Sequence, residues 1–255
     1  MAATIPPPKQ YDTFAPSYAT IESLPTSQIE AQLIRTALGD CTSLSVLDLG
    51  GGHGMHARRA VEEANAASVD VVDISKEMLR VGQAIPSPRS DRLGWFEADV
   101  SKPIPADLGL KEVGSYDVVM ANWVFDHATN EEQLRGMWEN VARYLKPRGK
   151  FLGVRVRHLK SEYLEQGKYG VRFVEHEEIS GGWKYVCECL TEPKFQFGCT
   201  SMNATLELDH EIPRGLGLDG FEVLDLGGTE LVRGDPGFWD EFVRKPSLAV
   251  VVGRK

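Results

Sequence analysis

Three aspartates stand where three apolar runs end. Asp48 sits in Val46-Leu47-Asp48-Leu49, Asp73 closes Val69-Asp70-Val71-Val72-Asp73, and Asp99 follows Trp95-Phe96-Glu97-Ala98. A carboxylate accepts hydrogen bonds and attracts cations, so the acid at Asp73 suits the two hydroxyls of a ribose and rejects a phosphorylated ribose. Asp99 can accept from an adenine exocyclic amine, with Ile74 and Val100 on the two sides of the ring. Between the first two acids lies Gly50-Gly51-Gly52-His53-Gly54. Its glycines let the backbone turn sharply and approach a ligand with no Cβ in the way. One strand-end aspartate alone is a common cap or turn residue. Three in register describe a nucleoside site.

The same loop fits a second fingerprint. Gly52-x-Gly54-x-x-Ala57, with Asp73 about twenty residues on, satisfies the dinucleotide pattern. That pattern gives no reason for Asp48 or Asp99, and Asp48 would repel a pyrophosphate. Candidate acid–base residues are His127, in Asp126-His127, and His158, after Arg155 and Arg157. The two arginines suit either an anionic acceptor or a solvated strand end. His53 and His56 flank the glycine loop, His53 meeting a ligand through its backbone. Trp123, Phe125, Tyr169, Phe173, Trp183 and Tyr185, with Phe195 and Phe197, either wall an aromatic acceptor or form the core of a lid.

These residues need a scaffold that brings strand ends together. Strands are expected at Ser45–Leu49, Val69–Asp73, Gly94–Glu97, Tyr116–Ala121 and Lys150–Val156. Helices are expected at Met55–Ala64, Lys76–Ala84 and Glu131–Leu145, the last capped by Thr129-x-x-Glu132. Such alternation implies a doubly wound α/β fold, a parallel sheet with right-handed crossovers whose strand ends form one crevice. Ser27-x-x-Glu30 reads as a capping box for a helix to Leu38, stopped by Gly39. Residues 1–10 read as a mobile tail and 11–40 as an N-terminal lid and helix. The 157–180 stretch is charged and mixed. Trp183–Leu190 and Lys194–Leu208 form a β-hairpin about Thr191-Glu192-Pro193, so residues 157–215 read as an insertion on the acceptor side. Gly220–Asp225 and Ser247–Gly253 complete the strands of a single domain over 1–255.

The 255 residues carry 28 basic and 37 acidic side chains, a formal net charge of -9. An acidic surface without a basic run disfavours nucleic acid and anionic lipid and favours a small-molecule partner. No stretch has the length of a membrane span or the apolar core of a signal peptide, so a cytoplasmic protein with reduced thiols is expected. Cys187-x-Cys189, with Cys199 and His210, lacks the paired spacing of a zinc site, and no metal is expected.

Together these motifs resemble the class I S-adenosylmethionine-dependent methyltransferases. The resemblance rests on the glycine motif at 48–54, on Asp73, on Glu97-Ala98-Asp99 and on Tyr116-Asp117-Val118-Val119. Leu145-Lys146-Pro147-Arg148-Gly149-Lys150 also fits, where the commoner form has glycine in place of Arg148. Within the class, the chain is most similar to small-molecule methyltransferases of the toxoflavin-synthesis type. The carriers are Tyr11-Asp12-x-x-Ala15-x-x-Tyr18, Phe151-Leu152-Gly153-Val154 and Phe238-Trp239-Asp240-Glu241-Phe242. Arg155-Val156-Arg157-His158 departs from the asparagine-rich stretch of those relatives, which leaves the acceptor open.

The resemblance implies a Rossmann-like sheet of seven strands, the last antiparallel, and S-adenosyl-L-methionine as cofactor. Asp48, Gly50 and Gly52 would hold its amino acid end, Asp73 its ribose and Asp99 its adenine, with Met78 in the same set. Asn122 would lie beside the sulfonium, and Tyr11 and Tyr18 would close over it. The activity implied is methyl transfer to a nitrogen or oxygen of a metabolite. The alternatives are an NAD-dependent dehydrogenase and a catalytically silent cofactor-binding subunit. Oligomeric state is left open.

Overall fold

A computed structural model describes residues 7–255. Helix α1 (Pro7–Tyr18) leads through a 3-10 turn to α2 (Pro25–Leu38). Alternation then begins: β1 (Ser45–Leu49), α3 (Met55–Glu62), β2 (Ser68–Asp73), α4 (Lys76–Ala84), β3 (Leu93–Glu97), β4 (Tyr116–Met120), α5 (Glu131–Tyr144) and β5 (Leu145–Val156). Three strands follow, β6 (Val171–Ile179), β7 (Gly182–Cys189) and β8 (Phe195–Met202), then β9 (Asp219–Val223) and β10 (Leu248–Arg254).

The main sheet has seven strands in the order β3-β2-β1-β4-β5-β10-β9. Strands β1 to β5 are parallel, and β10 runs antiparallel to both its neighbours. All five residues of β1 are buried, which explains why Val46, Leu47 and Leu49 are apolar on both sides: a central parallel strand is covered on both faces. Leu33 and Ile34 of α2 and Ala60 and Val61 of α3 pack on one face. Leu134, Trp138 and Val141 of α5 pack on the other. The strand order reverses between β1 and β4, so the crevice outside their carboxyl ends is the ligand position of such sheets.

The separate sheet β6-β7-β8 is antiparallel, and its hairpin turns at Thr191-Glu192-Pro193 as expected. Strand β6 lies in the stretch that reads as charged and mixed. Its pairing with β7 shifts register between Val174 and Glu177, with Glu175 at φ +53°. A bulge breaks the alternation of period two, and the glutamates around it face outward, so no strand pattern survives in the sequence.

Neither expected capping box opens its helix. Helix α2 begins at Pro25 with Leu24 before it, so Ser27 and Glu30 lie inside the helix and are buried. Proline at the first position needs no donor partner and already has helical φ. At α5 the cap is Asn130, whose Oδ1 accepts from Gln133 N at 2.9 Å, while Thr129 N and Oγ1 donate to Gln133 Oε1. The cap stands one residue later than expected, and Gln133 reaches back to Thr129 and not to Asn130.

Of the segment expected as a tail, residues 1–6 lie outside the described residues, and Pro7 already belongs to α1. The helix contains Pro16, which hides it from a sequence reading. It packs against α4 and β8. Gln10 ties it to β8 by two bonds, donating to Gly198 O at 3.0 Å and accepting from Gly198 N at 2.8 Å.

Candidate active site

The loop after β1 turns back on β2, with Gly50 N donating to Val72 O at 2.8 Å. Gly50 has φ +68°, and a Cβ there would meet Val124 Cγ2 at 2.6 Å. Gly52 has φ +56°, with Met78 Cε 3.0 Å from where its Cβ would stand. These two positions exclude other side chains and leave a backbone cradle. Gly54 serves packing instead: its Cβ position is filled by the Trp95 ring at 2.5 Å. That contact explains the dinucleotide-like spacing without a pyrophosphate.

The cradle borders a cleft of ≈460 Å³. Asp48 is only 1% exposed and neither carboxylate oxygen has a hydrogen-bond partner. Burial pushes its pKa up to about 7. A buried acid without a donor is costly unless a cation meets it. Asp73 is half-buried, its pKa raised to about 6 by desolvation despite bonds from Ser75 N to Oδ1 and Gly52 N to Oδ2, both 2.8 Å. Ile74, beside it, is 41% exposed although apolar. Met78 and Val100 are buried at the cleft wall, and Asn122, just past β4, has both amide atoms without partners. Asp99 lines the cleft too, but its carboxylate is engaged locally. It accepts from Ser101 N at 3.0 Å and Ser101 Oγ at 2.6 Å and pairs with Lys102 at 2.9 Å. Burial raises its pKa, yet those bonds outweigh it and the net direction is down.

A second, smaller cavity of ≈80 Å³ lies between the main sheet and the β6-β7-β8 sheet. Five side chains line both spaces: Tyr11, Tyr18, Ile21, Trp123 and His127. The two spaces therefore meet at an aromatic junction. Trp123 holds φ +61° there, a conformation a bulky residue rarely adopts. Tyr11 Oη and His127 Nε2 are 2.8 Å apart. Burial first, then the neighbouring Tyr18, holds the Tyr11 phenol well above its ordinary pKa, while burial lowers His127 to about 4. The phenol and the imidazole are thus both neutral and joined by one hydrogen bond.

The comparisons with known proteins agree with this geometry. Residues 46–149 match the family described as methyltransferase domain. The chain carries that domain's fold. A malonyl-[acyl-carrier protein] O-methyltransferase of Halalkalibacterium halodurans is 32% identical over 111 residues, 42% of this chain and 37% of that enzyme. The chain thus spans little more than a third of the curated relative it matches. An S-adenosylmethionine-dependent methyltransferase of Mesorhizobium loti superposes with TM-score 0.59 at 17% identity, covering 92% of this chain and 100% of that one. Phosphoethanolamine N-methyltransferase 2 of Haemonchus contortus, in complex with S-adenosyl-L-methionine, superposes with TM-score 0.54 at 20% identity, over 96% and 57%.

Within the methyltransferase fold, several expected site residues lie elsewhere. His158 lines neither space. It sits beyond β5, where burial and then Arg157 and Lys245 lower its pKa. Arg155 is 1% exposed on the opposite face of the sheet from the second cavity, its guanidinium 4.8 Å from the Trp138 ring centroid and 5.2 Å from that of Phe125. Arg157 donates to Leu206 O at 2.6 Å. Neither arginine is available to an anionic acceptor in the cavity. A strand buried on both faces sends alternate side chains to opposite sides, which a sequence alone cannot orient. Of the aromatics, Phe173, Tyr185 and Phe197 wall the second cavity and Trp123 joins them, whereas Phe125 packs in the core. Cys187, Cys189 and Cys199 also line it, while His210 stacks on Phe221 elsewhere. Among the described residues no group of three or more His, Cys, Asp or Glu is placed to hold a metal, and no helix is long and apolar enough to cross a membrane.

Glu30 was hidden behind its expected capping role. It is 2% exposed, and its Oε1 accepts from His56 Nε2 at 2.8 Å and Trp123 Nε1 at 3.0 Å. The usable signal is its spacing: Glu30 shares the buried stripe of α2 with Leu33, Ile34 and Ala37. An acid on an apolar stripe is a residue with a task.

Proposed function

We propose that this chain transfers a methyl group from S-adenosyl-L-methionine to a nitrogen or oxygen of a small-molecule acceptor. The observation that carries the reading is the unpartnered, buried Asp48 beside a glycine cradle, in a cleft that joins a second cavity at Tyr11, Tyr18 and His127. The cofactor's zwitterionic amino acid brings the ammonium that Asp48 lacks. Asp73 would accept from the ribose hydroxyls, and exposed Ile74 with Val100 would cover the adenine. Asp99 has lone pairs left for the adenine amine beyond its own turn. Asn122, Tyr11 and Tyr18 would surround the sulfonium, with Met78 closing the wall by the loop.

S-adenosyl-L-methionine supplies, when bound, an electrophilic methyl on a cationic sulfur. The protein's contribution is then to hold an acceptor in line and exclude water. Holding reactants in line is worth ~7–11 kcal/mol of barrier. Aromatic faces at the junction favour positive charge. Tyr11 and His127 can take a proton: the acceptor's proton passes to Tyr11 Oη as the phenol proton moves to His127 Nε2. The main-sheet family match ends at residue 149, before β6, so the acceptor of the malonyl-[acyl-carrier protein] relative is not carried over. The finer resemblance to toxoflavin-type enzymes is supported by its two tyrosines, Tyr11 and Tyr18, lining both spaces.

Titration with S-adenosylhomocysteine and with NAD, followed by a metabolite panel with methyl-labelled donor, tests the reading. Binding of S-adenosylhomocysteine with label in a small product is expected. Binding of NAD alone overturns it, and cofactor binding without labelled product from a broad panel favours a silent subunit.

A further inference from the structure

Resting on the reading of the second cavity as the acceptor side, the geometry points to Glu30 as the receptor for an amine-bearing acceptor, protonated or neutral. The cavity would correspondingly reject carboxylates and phosphates.

The charge balance of the cavity carries this inference. Among the described residues no lysine or arginine lines it, whereas Glu30 and Asp126 both do. Asp126 is already satisfied on both oxygens: Oδ1 accepts from Ser201 Oγ at 2.6 Å and Oδ2 from Val156 N at 3.1 Å. Glu30 is not. Its two donors, His56 and Trp123, both reach Oε1, and Oε2 accepts from no described residue. Glu30 is therefore a buried carboxyl group whose two donors share one oxygen, leaving Oε2 without a described partner in a residue that lines the cavity.

A buried carboxyl oxygen in that state is stabilised by a cation or a strong N–H donor. The surrounding walls suit the same ligand. Tyr18, Trp123, Phe173, Tyr185 and Phe197 present aromatic side chains, which attract an ammonium or stack on a planar amine. A carboxylate ligand would face Glu30 and Asp126 with no lysine or arginine among the described residues of the cavity wall.

The test uses the full chain saturated with S-adenosylhomocysteine and three probes of one shape: 2-phenylethylamine, 2-phenylethanol and 3-phenylpropionate, measured by calorimetry. The amine is expected to bind at least tenfold more tightly than the carboxylate. Glu30→Gln, which keeps the bonds from His56 and Trp123, is expected to lower amine affinity at least tenfold while leaving the alcohol and S-adenosylhomocysteine within twofold. Equal binding of amine and carboxylate, no measurable amine binding, or an amine preference unchanged in E30Q each overturn the proposal. The wild-type comparison stands by itself should E30Q not fold. Failure of S-adenosylhomocysteine to bind is a separate outcome that overturns the cofactor reading; the probe series on the cofactor-free chain then decides the role of Glu30.

Discussion

Tyr11 Oη and His127 Nε2 stand 2.8 Å apart, linking α1 to the turn after β4 across the line where the two cavities meet. In the proposed reaction the contact would be both a latch and a proton path. Tyr11→Phe keeps the ring packing and removes only the hydroxyl. It is expected to leave S-adenosylhomocysteine affinity within about threefold and to reduce methyl transfer about 10²-fold, the low end for a positioned acid–base group. His127→Ala should cost a similar factor, and the double variant little more, because the two act as one unit. Steady-state kinetics of the four proteins on one acceptor checks this. Additive losses would mean that the two residues act separately.

Asp73 joins the end of β2 to the glycine loop through Gly52 N and to α4 through Ser75 N. Asp73→Ala removes the ribose acceptor and loosens the loop together. Cofactor affinity is expected to fall about 10–100-fold, the loss of one or two hydrogen bonds to a charged group. Calorimetry with S-adenosylhomocysteine is the check, and unchanged affinity would remove Asp73 from the ribose role.

The nucleotide half of the molecule was legible because its constraints are local. A central parallel strand is largely apolar, a backbone that approaches a ligand closely favours glycine, and Asp48 and Asp73 stand at the ends of such runs. Around the second cavity Tyr11, Tyr18 and His127 were legible as residues but their pairing, and Glu30 altogether, were not, because the constraints there are long-range. Tyr11 of α1 meets His127, and Glu30 of α2 meets His56 and Trp123, only after folding. Local pattern misread two of these elements for specific reasons. Pro16 masks α1, and a Ser-x-x-Glu spacing inside α2 imitates a cap. The bulge at Glu175 erased β6 in the same way. Arg155 shows the remaining gap: its charge was visible, but the face of β5 it occupies was not.

Arg148 sits at φ +65° near the start of β5, where its N–H donates to Lys255 O at 2.7 Å. A left-handed conformation costs a non-glycine residue about 1–2 kcal/mol. Arg148→Gly relieves that cost and loosens the unfolded chain, two effects of opposite sign. A net gain of about 0.5 kcal/mol is expected, read as a rise in the midpoint of urea unfolding, with cofactor binding unchanged. A fall in the midpoint would show that the arginine side chain contributes more than its backbone strain removes.

Asp48 gives the pH prediction. Its folded-state pKa of about 7 lies above the ordinary 3.8, so the folded chain without cofactor holds a proton there that the unfolded chain has lost. The stabilising contribution is complete below about pH 4 and disappears as the pH rises through about 7. The shift corresponds to about 4 kcal/mol at most. Asp48→Asn keeps the shape and abolishes the titration. The cofactor-free variant is therefore expected to be about 1–3 kcal/mol more stable than the natural chain at pH 8 and indistinguishable from it near pH 4. The cofactor responds in the opposite sense. Its ammonium needs the ionised carboxylate, so S-adenosylhomocysteine affinity of the natural chain should fall as the pH drops from 8 to 6, whereas D48N binds weakly and without that slope. Urea melts at the two pH values and calorimetry across the range separate the effects. A variant that is less stable at pH 8 would show that Asp48 is already partnered when the cofactor is absent.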